Sequence, residues 1–166
     1  VVEVYLDPGK DGRDYVEFQF APTGVIFDAH FSGHRTPEWA VAAKRFNLQG
    51  LEVKVSLVGT VNKKDAGDQM WSVEAKIPFR GLPGVEAAPR IGTVWGINFY
   101  RIDSSNPKSV LGMGPLAPVG SDFHDLTNAA SPVFGPSLKP VAKPVVEGVK
   151  PVPAATQVDE FLPTKL

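Results

Sequence analysis

Three apolar, aromatic-rich runs constrain this chain more than anything else in it: VYLDPGKDGRDYVEFQF from Val4, MWSVEAKIPF from Met70 and VWGINFYRID from Val94. The first has an Asp/Gly turn at its centre. Tyr15–Phe20 sets Tyr15, Glu17 and Gln19 against Val16, Phe18 and Phe20, the period of a strand with one buried face. Leu51, Val53, Val55 and Leu57 share one face of a further run, and Trp71, Val73, Ala75 and Ile77 share one face of another. Turn residues separate the runs: Pro22–Gly24 points to a hairpin, and Gly67–Asp68 sits between two strand-like segments. Expected strands fall near 1–6, 15–20, 25–31, 51–60, 71–77 and 93–102, the last as a central strand covered on both sides. The expected fold is all-β, an antiparallel, jelly-roll-like β-sandwich. Only 37–46 offers a helical stripe, of one or two turns.

Composition narrows the function classes. At 166 residues the chain suits one domain, or one domain with a tail. A net charge of −1 implies no general attraction to nucleic acid. There is no Cys, so disulfides and thiolate metal sites are excluded. No run has the length of a membrane span. The chain opens without Met on a strand-like VVEVYLD, which reads as a processed or partial chain.

The domain is expected to end near 135. From there to Leu166 Pro recurs, at 136, 140, 144, 151, 153 and 163, among Val, Ala and Lys. Pro fixes φ and removes backbone donors, so residues 136–166 are expected as an extended, Pro-rich tail, excluded from helices and sheet interiors. By composition this is a linker. Its valines, with Phe161 and Leu162, also suit an arm laid along a protein assembly.

Candidate chemistry is sparse. Asp7, Asp11 and Asp14 bring three carboxylates into one loop with Gly12 in the turn, a set that could serve a hard cation such as calcium or cap the turn's own amides. His30 and His34 stand four apart on a strand running into a loop, where that spacing does not make a metal pair. His124, flanked by acids, reads as a structural hydrogen-bonding residue. No nucleophile elbow or phosphate loop is present, and Glu17 and Glu74, on strands, read as solvated carboxylates rather than a glycosidase pair. The expectation is a protein that is not an enzyme. Trp71 and Trp95 read as core, and Trp39, after a loop, as the one Trp available for stacking against a sugar face.

Five motifs in order carry a resemblance: LDPGKDGRDYVEF from Leu6, GTVN from Gly59, WSVEAKIPF from Trp71, WGINFYRID from Trp95 and DFH from Asp122. Residues 1–135 resemble the carbohydrate-binding modules of family 9 and their bacterial relatives. That resemblance implies a non-catalytic, exported (periplasmic or secreted) β-sandwich that binds a sugar or polysaccharide and carries structural calcium. Trp39 and Arg101 are the ligand-binding residues expected here, and Asp7, Asp11 and Asp14 the calcium ligands. The chain departs from the family twice. It lacks the strands that usually precede the VEVYLD segment, and Leu116 stands where the family places a second stacking Trp. The alternative is an accessory subunit that has lost its sugar and docks on a larger assembly through its surface and residues 136–166.

Overall fold

The computed structural model describes residues 1–34, 36, 45–61, 63, 67–102, 110–112, 122–136, 150–152 and 156–157. Its strands are β1 (Val2–Asp7), β2 (Tyr15–Phe20), β3 (Val25–Phe31), β4 (Glu52–Val58), β5 (Met70–Lys76), β6 (Gly96–Ile102), β7 (Val110–Gly112), β8 (Lys150–Pro151) and β9 (Thr156–Gln157). They form a six-stranded sheet in the order β7-β6-β1-β2-β3-β9 and a three-stranded sheet in the order β5-β4-β8. Every pairing is antiparallel except the two-residue β3–β9 ladder. The all-β expectation holds, and six of the strands lie where alternation placed them. The helical stripe at 37–46 falls mostly outside the described residues.

The β2–β3 hairpin closes as its turn residues require. Ala21 and Gly24 bond across the turn, Gly24 N donating to Ala21 O at 3.0 Å, with Gly24 at φ +83°, a left-handed conformation that costs glycine nothing. Register then fixes what shares a face. Val4 lies opposite Phe18 and Phe99, and Leu6 opposite Val16 and Ile97. Val4, Leu6, Val16 and Phe18, with Phe20, Ile26, Leu48, Leu82 and Trp95, make the main core, against which Ile97 and, from the smaller sheet, Val53 and Val73 pack. Each large side chain so buried contributes roughly 1.5–3 kcal/mol. Phe79, Trp95 and Phe134 extend that core with edge-to-face ring contacts at 4.9–5.8 Å.

Two expectations need correction. Strand β2 has no solvated face: all six of its residues are buried. The reason is a second cover on the sheet's other side, from residues 122–130. Strand β6 is less enclosed than a central strand should be, because Phe99 and Arg101 are exposed on the face that β4 and β5 leave open at this end. Its outer edge is completed by two separate pieces. β7 pairs with Tyr100–Ile102, and residues 130–134 bond to 92–97 through Ile97, Trp95 and Thr93.

The described parts of the Pro-rich tail are short and extended, and both lie at sheet edges of this same chain. Lys150–Pro151 pairs with Ser56–Leu57, and Thr156–Gln157 pairs with Val25–Ile26. Edge positions accommodate a residue that cannot donate to a ladder. Among the described residues no helix is long and apolar enough to cross a membrane.

Candidate functional site

The most polar buried surface in the described structure is the outer face of the six-stranded sheet. It follows from alternation. If Val2, Val4 and Leu6 face the core, then Glu3, Tyr5 and Asp7 of β1 face the other way. So do Tyr15, Glu17 and Gln19 of β2, Asn98 and Tyr100 of β6, and Phe27, Ala29 and Phe31 of β3. All three tyrosines of the chain therefore share one face. Glu3 lies opposite Gln19, Tyr5 opposite Glu17, and Tyr5 opposite Asn98 on the other side. Glu3 is 1% exposed and Glu17 4%, unusual for glutamates, and Tyr5, Tyr15 and Tyr100 are as deeply buried.

Hydrogen bonds link this face internally. Gln19 Nε2 donates to Glu17 Oε1 at 2.6 Å, the Tyr5 hydroxyl donates to Glu3 Oε2 at 3.4 Å, and Asn98 Nδ2 donates to the Tyr100 hydroxyl at 2.7 Å. Burial of the carboxylates disfavours their charged forms. Glu3 is pushed up to about 8, first by burial and then by the negative charge of Glu17 beside it. Glu17 is pushed up to about 7 by burial, with the bonds from Gln19 and Tyr5 opposing. Tyr5 is raised by burial and by both glutamates, and Tyr100 is pushed up to about 12, chiefly by burial. Near neutral pH the face is therefore a set of uncharged or half-charged donors and acceptors between ring faces.

A segment from Asp122 to Ala130 roofs it. Phe123 stacks on Tyr100 with ring centroids 4.2 Å apart and planes 12° from parallel. His124 sits in a box of rings, 5.2 Å from Tyr5, 5.9 Å from Tyr15 and 4.8 Å from Phe31. Its Nδ1 shares a 2.9 Å hydrogen bond with the Tyr15 hydroxyl, and its Nε2 lies 3.8 Å from Glu17 Oε2. This matches the structural hydrogen bonding expected of His124, whose partner is Tyr15, and places a buried carboxylate near the ring's other nitrogen. His34 Nε2 donates to Asp122 Oδ2 at 2.8 Å, fastening the start of the segment to the loop after β3.

The sequence-derived candidates are distributed differently. Arg101 lies on β6 opposite Val2 and is exposed, on the sheet face away from the tyrosines. Trp39 and Leu116 lie outside the described residues. The acidic loop spreads its carboxylates over separate partners. Asp7 Oδ2 accepts from Gly12 N at 2.7 Å, Asp11 Oδ1 accepts from Arg13 N at 3.0 Å, and Asp14 Oδ1 accepts from His30 Nε2 at 3.0 Å. Lys10 and Asp14 both hold positive φ, as turn residues do. Among the described residues no three His, Asp or Glu side chains gather as a metal site. Asp7 Oδ1 nonetheless stays buried without a hydrogen-bond partner. Asp7 Oδ2 and Asp11 Oδ1 cap turn amides, and Asp14 Oδ1 is engaged by His30.

The polar face itself was missed at the sequence level, where Glu17 was expected to be solvated. A signal was present: E-x-Y in β1, Y-x-E-x-Q in β2 and N-x-Y in β6 all fall in one alternation phase. Comparison of the chain with protein-family models, with curated proteins and with solved structures finds no match in any of the three.

Proposed function

We propose that the domain is a non-catalytic carbohydrate-binding module whose ligand face is the tyrosine-bearing side of the six-stranded sheet, reached when residues 122–130, which cover it here, move aside. The observation that carries this reading is the composition of that face: Glu3, Glu17, Gln19 and Asn98 interleaved with Tyr5, Tyr15, Tyr100 and Phe31. Sugars need both kinds of group. Hydroxyls are bound by carboxylate and amide oxygens and nitrogens, while the C–H faces of the ring lie on aromatic rings. The resemblance of the sequence motifs to family 9 modules supports the same reading, and export to the periplasm or the exterior accompanies it. Trp39 remains a rim candidate within the proposal, as does a structural calcium ion that would take Asp7 as a ligand; Arg101, on the opposite face of the sheet, does not serve this site.

The test is a glycan array followed by calorimetry on the purified chain. Gln19→Ala and Asn98→Ala are expected to weaken binding at least tenfold while the circular dichroism spectrum stays that of the wild type. Trp39→Ala separates a rim platform from a binding face that acts alone. If no glycan binds the wild-type chain at any pH from 5 to 9, the module reading fails and the accessory-subunit reading takes its place.

A further inference from the structure

We propose that residues 122–130 form a pH-gated strap that occupies the polar face with the chain's own His124 and lifts when Glu3 and Glu17 both become charged. The strap holds the place a ligand ring would take. The imidazole of His124 lies between Tyr5, Tyr15 and Phe31 with a carboxylate 3.8 Å away. Phe123 covers Tyr100, the next ring along the sheet. The strap's far end is fixed, since Ala130 and Ile97 exchange backbone hydrogen bonds of 2.9 Å. Among the described residues its near end makes side-chain bonds to the sheet and the loop after β3, the Tyr15–His124 bond and the His34–Asp122 pair. A segment ladder-bonded at one end and clipped by side chains at the other can hinge without dismantling the sheet.

The charges around the strap give the gate its direction. From β1, Glu3 and Tyr5 face it, and the Val1 amino group at the start of that strand favours the charged form of Glu3. From β2 come Tyr15 and Glu17, from β6 Tyr100, and from the loop after β3 His34. Asp28 and His30 of β3 lie on the opposite face of the sheet. The strap itself carries Asp122, His124 and Asp125, and the carboxyl of Asp125 is held below its ordinary range by bonds from Thr127. With the glutamates protonated, closure buries two neutral carboxyls. With both ionised, closure buries two like charges beneath a strap bearing Asp122 and Asp125. Lifting lets water reach both. The closed form holds protons that the open form releases, so opening grows as pH rises from the ordinary carboxylate range through the raised values of the pair.

This inference depends on the sugar-face reading only for what the opening uncovers; the motion can be read with no sugar present. Hydrogen exchange followed by mass spectrometry on peptides spanning 122–130, corrected for the intrinsic pH dependence of exchange, measures the opening directly. Protection there is expected to fall about tenfold or more between pH 5.5 and 8.5, while the β4–β5 hairpin stays protected. The Glu3→Gln/Glu17→Gln variant, nearly isosteric and permanently neutral, is expected to keep the strap protected across that range. Should that pair not fold, Glu3→Gln and Glu17→Gln singly are each expected to reduce the slope. Wild-type protection that does not change with pH, or variants that lose it as the wild type does, would overturn the gate. A moving strap on a chain that binds no glycan sinks the sugar reading alone.

Discussion

Single residues decide how this domain responds to pH. Glu3 and Glu17 are raised in the folded chain and ordinary in the unfolded one. Their stabilising effect is therefore complete below about 4.5, the ordinary value, and is lost as pH rises through about 7 and about 8. Urea midpoints measured from pH 5 to 9 are expected to decline, by several kcal/mol at most in stability and by less if the strap opens first and relieves the charges. A second residue prediction concerns Asp28. It is buried on the core side of β3, and its Oδ2 accepts from Leu48 N at 2.7 Å. Asp28→Ala leaves that amide unpaired and is expected to cost about 1–3 kcal/mol in chemical denaturation, while Asp28→Asn recovers part of the loss. At this scale the sequence was partly legible. Trp95, read as core, and His124, read as a hydrogen-bonding residue, could be placed from their neighbours. Glu17 could not, because alternation says which side chains share a face but not whether something covers it, and the cover comes from a segment more than 100 residues away.

At the scale of elements, edges matter most. Period-2 patterning located six strands to within three residues at their ends, because each pairs along most of its length with a long partner. β8 and β9 were not legible, being two residues each in a Pro-rich tail whose composition argues only for extension. They lie beside β4 and β3 respectively and so cover backbone that would otherwise be open. Truncation after Pro136 is expected to leave the main core folded but to lower the melting temperature by a few degrees. It should also promote concentration-dependent self-association, since uncovered strand edges pair with other chains. Scanning calorimetry and light scattering across a dilution series check both. The β4–β5 connection offers a sharper local test. Gly59 has φ +136°, and a Cβ there would come within 2.8 Å of the Asp68 backbone. Gly59→Ala is expected to destabilise this hairpin by about 1–3 kcal/mol, visible as faster exchange in β4 and β5.

For the whole molecule, the six-stranded sheet is a middle layer, with the three-stranded sheet on one side and the strap on the other. Period-2 alternation in the sequence anticipated the main strands of both sheets; it did not anticipate the second cover, from the segment that carries Asp122, Phe123 and His124. Calcium is the whole-domain test of the acidic loop. If Asp7 Oδ1 takes a cation in the folded chain, millimolar calcium is expected to raise the melting temperature relative to chelator, and Asp7→Asn to abolish the rise. An unchanged wild-type melting temperature leaves the loop as a self-capped turn.

The pairing of β1 with β6 also shapes how the chain is made. The Val1 amino group bonds to Ile102 O, an approach of chain segments 101 residues apart. Closing so large a loop is entropically expensive, and sheets built from such distant partners fold in milliseconds to seconds rather than microseconds. On a ribosome adding about 5–20 residues each second, β6 emerges roughly 3–13 s after the β1–β2–β3 meander is complete, the gap from Phe31 to Gly96. Throughout that interval the outer edge of β1 has no partner, and the row of Glu3 and Tyr5 faces water. The nascent domain therefore passes through a stage in which its future interior is charged and hydrated, which keeps the half-made sheet soluble until its last central strand arrives.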